Sequence, residues 1–179
     1  MNRLANVMAI FGGIVLLALI ILVCISVLGR SLNTLFHGEL AVWFPRLAEW
    51  VLASGIGPIN GDFEIVESGI AFSIFAFLPL CQITMGHASV DIFTARLPLG
   101  VNWFLQMVID IVFAAVLILI AVQLFDGMQS KMRNGQTTFL LQFPIWWAYA
   151  ACFGAAIVAC CVSLFCAVAQ LTGRPAYAE

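Results

Sequence analysis

The chain has 179 residues, of which 64% are hydrophobic and only 9% are charged, and its formal net charge is -2. Soluble domains carry charge on about a quarter of their residues, so this composition excludes a water-soluble fold of the same size. The small net charge and the lack of a basic patch give no reason to expect nucleic acid as a partner. We therefore predict an all-α integral membrane protein, covered by membrane lipid or by another apolar protein.

Four apolar stretches are each long enough to cross a bilayer as a helix. A spanning helix needs about 20 apolar residues, because each residue advances it by about 1.5 Å through a hydrocarbon core of about 30 Å. The first stretch exceeds the apolar core of a signal peptide, about 7–15 residues, so we expect it to be retained. We place the spans at about 4–28, 65–85, 99–125 and 143–171, within a single membrane domain, 1–179.

The connection between the first two spans, which we expect to begin near Arg30, contains a segment that is neither a span nor simply polar. Within 40–53, Trp43 and Trp50 recur at helical spacing among scattered charges. Indole rings favour the headgroup level of a membrane. We predict a short amphipathic helix here that lies in the interface.

A second amphipathic segment, 87–97, follows the second span. His87 and Asp91 lie one turn apart in a polar stripe, and apolar residues form a second stripe at helical spacing. This pattern predicts another short helix at the membrane surface.

Two carboxylates, Glu64 and Glu67, lie one turn apart where the second span begins. Negative side chains near a helix N-terminus interact favourably with the helix dipole. We take this structural role as the default for both residues.

Asp110 is the charged residue within the third span, with Gln106 one turn before it on the same face. An ionisable group inside a span is costly unless it is paired or faces water. One interpretation is an ion or proton site. We favour a polar contact with a partner helix, because Asp110 lies only about two and a half turns into its span rather than at mid-depth.

No cofactor is expected. The six cysteines all lie in apolar segments, without a CxxC pair, and are interpreted as buried free thiols. The two histidines, His37 and His87, lie outside the spans, whereas a membrane cytochrome needs histidine ligands within them. The spans also contain too few polar groups to line a pore, which favours a scaffold over a catalyst or a channel.

Five short motifs stand out at the second span, directly after it, and at the lead into the fourth span. They are FEIVE at 63–67, FLPLCQ at 77–82, GHASVDIF at 86–93, GQTT at 135–138 and QFPIWW at 142–147. Together they resemble the DctQ family, the small membrane subunit of tripartite ATP-independent periplasmic (TRAP) transporters. The likeness extends to the size of the chain and to its four spans.

The resemblance implies an accessory subunit in a bacterial inner membrane, with both termini cytoplasmic. Its partners would be a large DctM-type membrane subunit, which moves an organic acid with a coupling ion, and a periplasmic DctP-type substrate-binding protein. The small subunit would brace the large one. On this basis the candidate intersubunit or interfacial contacts are Trp43, Trp50, Glu64, Glu67, His87, Asp91 and Asp110.

Two other functions stay open at this point. A membrane anchor for a redox enzyme would bind haem or quinone, and a small oligomeric channel would place Asp110 in its ion path.

Overall fold

A computed structural model describes residues 1–38, 46, 57, 59–84 and 99–172. The described residues contain four helices, each long and apolar enough to cross a membrane, which confirms the predicted all-α membrane fold. We number them α1 (Asn2–His37), α2 (Asp62–Ile83), α3 (Leu99–Asn134) and α4 (Trp146–Leu171). The predicted interfacial helices at 40–53 and 87–97 lie outside the described residues, apart from Arg46.

The helices do not end where the apolar stretches end. The first connection begins at Gly38 rather than near Arg30, because α1 continues without a break to His37. Its 36 residues make a helix of about 54 Å, well beyond the hydrocarbon thickness of about 30 Å. Hydropathy marks where a side chain must leave lipid, whereas a helix ends where its backbone hydrogen bonds stop.

Helix α4 is the central element of the bundle. It packs against α2 on one side and α3 on the other, and α1 packs mainly on α2. Half of the most apolar window of α4 is buried inside the protein, compared with 17% for both α1 and α3. The packing order is therefore α1–α2–α4–α3, with the outer helices largely open to lipid.

Small residues allow this close packing. On α4, Ala155, Ala156 and Ala159 are buried, whereas Ala151 and Gly154, which extend the small-residue pattern in the sequence, are exposed. On α1, a Cβ atom added at Gly12 would lie 2.9 Å from the Cβ of Ala76 on α2. Backbones that approach this closely gain the van der Waals contact that holds membrane helices together.

Polar side chains fix the register of α1 against α2. The Ser26 hydroxyl donates a hydrogen bond to the Asp62 carboxylate at the start of α2. Near the middle, the Ser73 hydroxyl donates to the Gly12 carbonyl oxygen at 3.3 Å and to that of Gly69 at 2.8 Å. Because Ala5, at the start of α1, packs in one cluster with Ile83, at the end of α2, the two helices are antiparallel.

Candidate functional site

Glu64, on the first turn of α2, binds the loop 136–145 that leads into α4. Its two carboxylate oxygens accept hydrogen bonds from the backbone N–H groups of Leu140 at 2.7 Å and Leu141 at 3.0 Å. We call this pair of bonds the Glu64 latch. The Glu64 side chain is buried, so the latch satisfies a carboxylate that would otherwise be costly to place there.

The latched loop is a compact turn with its own hydrogen bonds. The Thr138 N–H donates to the Phe143 carbonyl at 2.9 Å, and the Ile145 N–H donates to the Gln136 carbonyl at 3.1 Å. At the base, Lys131 on α3 donates to the Gln136 side chain at 2.7 Å. The loop therefore has a defined shape in which the latch joins it to α2.

Gly61 allows the loop to approach α2. Its φ of 83° lies in the left-handed region that favours glycine, and it caps the start of α2. A Cβ atom at this position would lie 2.5 Å from Cγ of Leu141. Any side chain here would therefore strain the turn and push the latched loop away.

A groove of about 520 Å³ lies beside the latch, between α2, the loop and α4, with Leu124 of α3 also in its lining, and we call it the α2–α4 groove. Its aromatic lining comes from α2, the loop and α4 and consists of Phe63, Phe75, Phe139, Phe143 and Tyr149. Small side chains lie between these rings, namely Ser68, Ala71, Ala148 and Cys152. From Glu64 to Phe75 the groove follows about 16 Å of α2, roughly half of the hydrocarbon thickness.

Glu67 also lines the groove but differs from Glu64 in its surroundings. Its side chain is exposed, and no hydrogen bond or ion pair joins it to any residue that the structure describes. Phe63 and Phe139 beside the groove are 67% and 91% exposed. The groove thus combines an apolar lining with one available carboxylate.

The opposite end of the bundle differs, because its acidic side chain is buried and hydrogen-bonded, and we call it the closed end. The Gln82 amide, at the end of α2, donates a hydrogen bond to the Asp110 carboxylate on α3 at 3.0 Å, and Gln106 donates to the same oxygen at 3.5 Å. Asp110 is 1% exposed. Ile83 on α2 and Val162 on α4 pack in one buried cluster at this end, and the Gln82–Asp110 hydrogen bond joins α2 to α3.

The family of the chain follows from comparison with known proteins. A model of the DctQ component of tripartite ATP-independent periplasmic transporters matches residues 19–173. The chain belongs to this family. No curated protein and no solved structure matches it. The resemblance read from the sequence motifs is therefore confirmed, and the groove, the latch and the closed end are features of a DctQ-family membrane protein.

The structure brings some of the predicted contact residues of this DctQ-family chain into view. Glu64 contacts a loop of the same chain, Glu67 lies in the α2–α4 groove, and Asp110 contacts a helix of the same chain. The predicted contact residues outside the described part of the chain are Trp43, Trp50, His87 and Asp91. Whether any of the seven contacts another subunit stays a prediction.

Three functional features were missed by sequence reasoning. Gln82 was part of a family motif, yet its pairing with Asp110 was not predicted, although a polar residue inside a span signals a buried contact. The hydrogen bond between Ser26 and Asp62 could not be predicted either, because 36 residues separate them in the sequence. The loop 136–145 was read as a lead into a helix rather than as the wall of a groove.

Within the described ranges, no group of three or more histidine, cysteine or acidic residues lies close enough to hold a metal ion. The polar groups that the DctQ chain does bring together are pairs that join one helix or loop to another. Such pairs stabilise an arrangement of helices, and nothing in their geometry resembles a nucleophile with its base.

Proposed function

We propose that this chain is the small membrane subunit of a TRAP transporter and that it braces the large transport subunit during uptake. One observation carries the proposal. The buried polar side chains Ser26, Ser73, Glu64 and Gln82 all make hydrogen bonds that join separate elements of the bundle. A subunit in which these four buried side chains stabilise its own helix arrangement suits the role of a fixed support.

The large apolar surface of the outer helices supports the same role. Along α1, side chains such as Ile10, Phe11, Ile14 and Leu17 are about 60% exposed. Lipid or a second membrane protein must cover them. We propose that the large subunit, which carries an organic acid and a coupling ion, covers part of this surface.

The proposed setting is the inner membrane of a bacterium, with both termini in the cytoplasm and no catalytic activity in the chain. In that orientation, the Glu64 latch lies at the periplasmic side. Helix α1 continues about 17 Å past Ser26, the residue that is level with the start of α2. This extension would offer the periplasmic binding protein a surface to dock on.

The test is reconstitution with the components separated. We expect the chain to co-purify with a large DctM-type subunit, and uptake into proteoliposomes to require the small subunit, the large subunit and the binding protein together. The chain by itself should move no solute. Uptake by vesicles that contain this polypeptide alone would contradict the accessory role.

A further inference from the structure

The strongest unassigned feature of the molecule is the α2–α4 groove with Glu67 in its lining. Glu67 lies about 8 Å along α2 from Asp62, and its exposed side chain borders the aromatic lining of the groove. A carboxylate that a second apolar segment covers is costly unless it is paired. Among the described residues no cation forms an ion pair with it, and Lys131, at the base of the loop, is bound to Gln136.

We propose that the α2–α4 groove receives a transmembrane helix of the large subunit that carries a lysine or arginine, and that this cation pairs with Glu67. The inference rests on the proposed function and specifies the contact by which the two subunits join. The charge of the groove selects a cationic group, and its apolar lining selects a partner segment that is otherwise apolar.

The lining of the groove suits a helix. Ala71 and Ala148 are small and leave room for a close approach of a second backbone, as at other interfaces between membrane helices. Phe75 and Tyr149 contribute aromatic surface to the same lining. A helix here would bury this lining and replace the water around the carboxylate with a charged hydrogen-bond donor.

The Glu64 latch gives the groove a fixed shape before the partner arrives. It holds the loop 136–145 against α2 through two backbone hydrogen bonds, and Phe139 and Phe143 of that loop form part of the lining. A wall that is already ordered loses less conformational entropy when a partner binds. Glu64 and Glu67 thus have separate roles: Glu64 shapes the groove and Glu67 binds the cation.

The first experiment reverses the charge and measures how much large subunit co-purifies with the tagged small subunit in mild detergent. We expect Glu67→Lys to reduce recovery about tenfold, because like charges oppose each other in the groove, and Glu67→Gln to reduce it less. Asp126→Lys is the matched control, since Asp126 is an exposed carboxylate on α3 outside the groove, and it should leave recovery unchanged.

The second measurement identifies the occupant directly. A photo-crosslinking amino acid at Ala71 in the assembled complex should form an adduct with the large subunit. Replacing the lysines and arginines of that subunit by glutamate, one at a time, should then reveal a position that restores recovery with Glu67→Lys. Such a charge exchange cannot be explained by misfolding of the variant.

Other outcomes overturn the proposal. Adducts at Ala71 that contain only phospholipid would show that lipid, and not a helix of the large subunit, fills the groove. Equal recovery with Glu67→Lys and with the wild-type chain would show that the carboxylate does not contact the partner. If the wild-type chain does not bind the large subunit at all, the proposed function itself fails, and this result is distinguishable from both of the others.

Discussion

The two ends of the helix bundle use acidic side chains in opposite ways. At the closed end, Asp110 is buried and accepts a hydrogen bond from Gln82. At the open end, Glu64 is satisfied by a loop, while Glu67, one turn further along α2, is left exposed in the groove. The difference teaches that a carboxylate in a span is a candidate for binding a partner only when it accepts no hydrogen bond from its own chain.

The largest expected effect comes from adding volume at each end. Val162→Phe should destabilise the closed end by about 1–3 kcal/mol, because Val162 is fully buried and the extra atoms must displace Ile83. Ala71→Phe should leave the stability of the isolated subunit nearly unchanged, since the groove can hold the ring, but should block the large subunit. Thermal unfolding in detergent and co-purification measure the two quantities. Equal destabilisation by both variants would mean that the groove is not open.

A smaller effect is expected from the hydrogen bond at the closed end. Gln82→Leu, Asp110→Leu and the double variant form a cycle whose coupling energy should be about 0.6–1.7 kcal/mol, the range for hydrogen bonds between membrane helices. Reversible unfolding in detergent gives the free energy of unfolding of each variant relative to the wild-type chain. If Asp110→Leu instead abolished uptake and left both stability and subunit assembly intact, an ion path through Asp110 would be the better interpretation.

The smallest effect on global stability is expected at the latch. Glu64→Gln leaves one acceptor oxygen for two N–H groups, so hydrogen exchange at Leu140 and Leu141 should accelerate about tenfold. The midpoint of thermal unfolding should hardly change, because the loop lies outside the helix contacts. Glu67→Gln is the control and should leave exchange at both amides unaltered. Unchanged exchange in Glu64→Gln would show that the loop does not depend on the latch.

Some features of the fold could be read from the sequence because they are local. The four spans follow from runs of apolar residues, and the family follows from short motifs such as FLPLCQ at 77–82. The end of α1 at His37 could not be read in the same way, because Arg30 is charged yet stays helical. Charge marks the edge of the hydrocarbon and does not interrupt backbone hydrogen bonding.

In the candidate site, too, the sequence identifies the residues but does not identify their partners. Asp110 is notable from the sequence because a carboxylate is rare inside a span, and Glu64 and Glu67 because two carboxylates lie one turn apart at the start of one. Their partners were not identified. The bond from Gln82 to Asp110 joins residues 28 positions apart, and the latch joins Glu64 to residues 76 and 77 positions away.

The sequence by itself determined the apolar stretches that become the four membrane-length helices of the described residues, and the transporter family of the chain. Apolar length and short motifs can be read in this way because they are properties of neighbouring residues. Only the tertiary structure decided that Glu64 accepts hydrogen bonds from a loop of the same chain, whereas Glu67 is left exposed in the groove. That distinction depends on where the loop 136–145 folds back against α2, because its Leu140 and Leu141 N–H groups reach Glu64 and not Glu67.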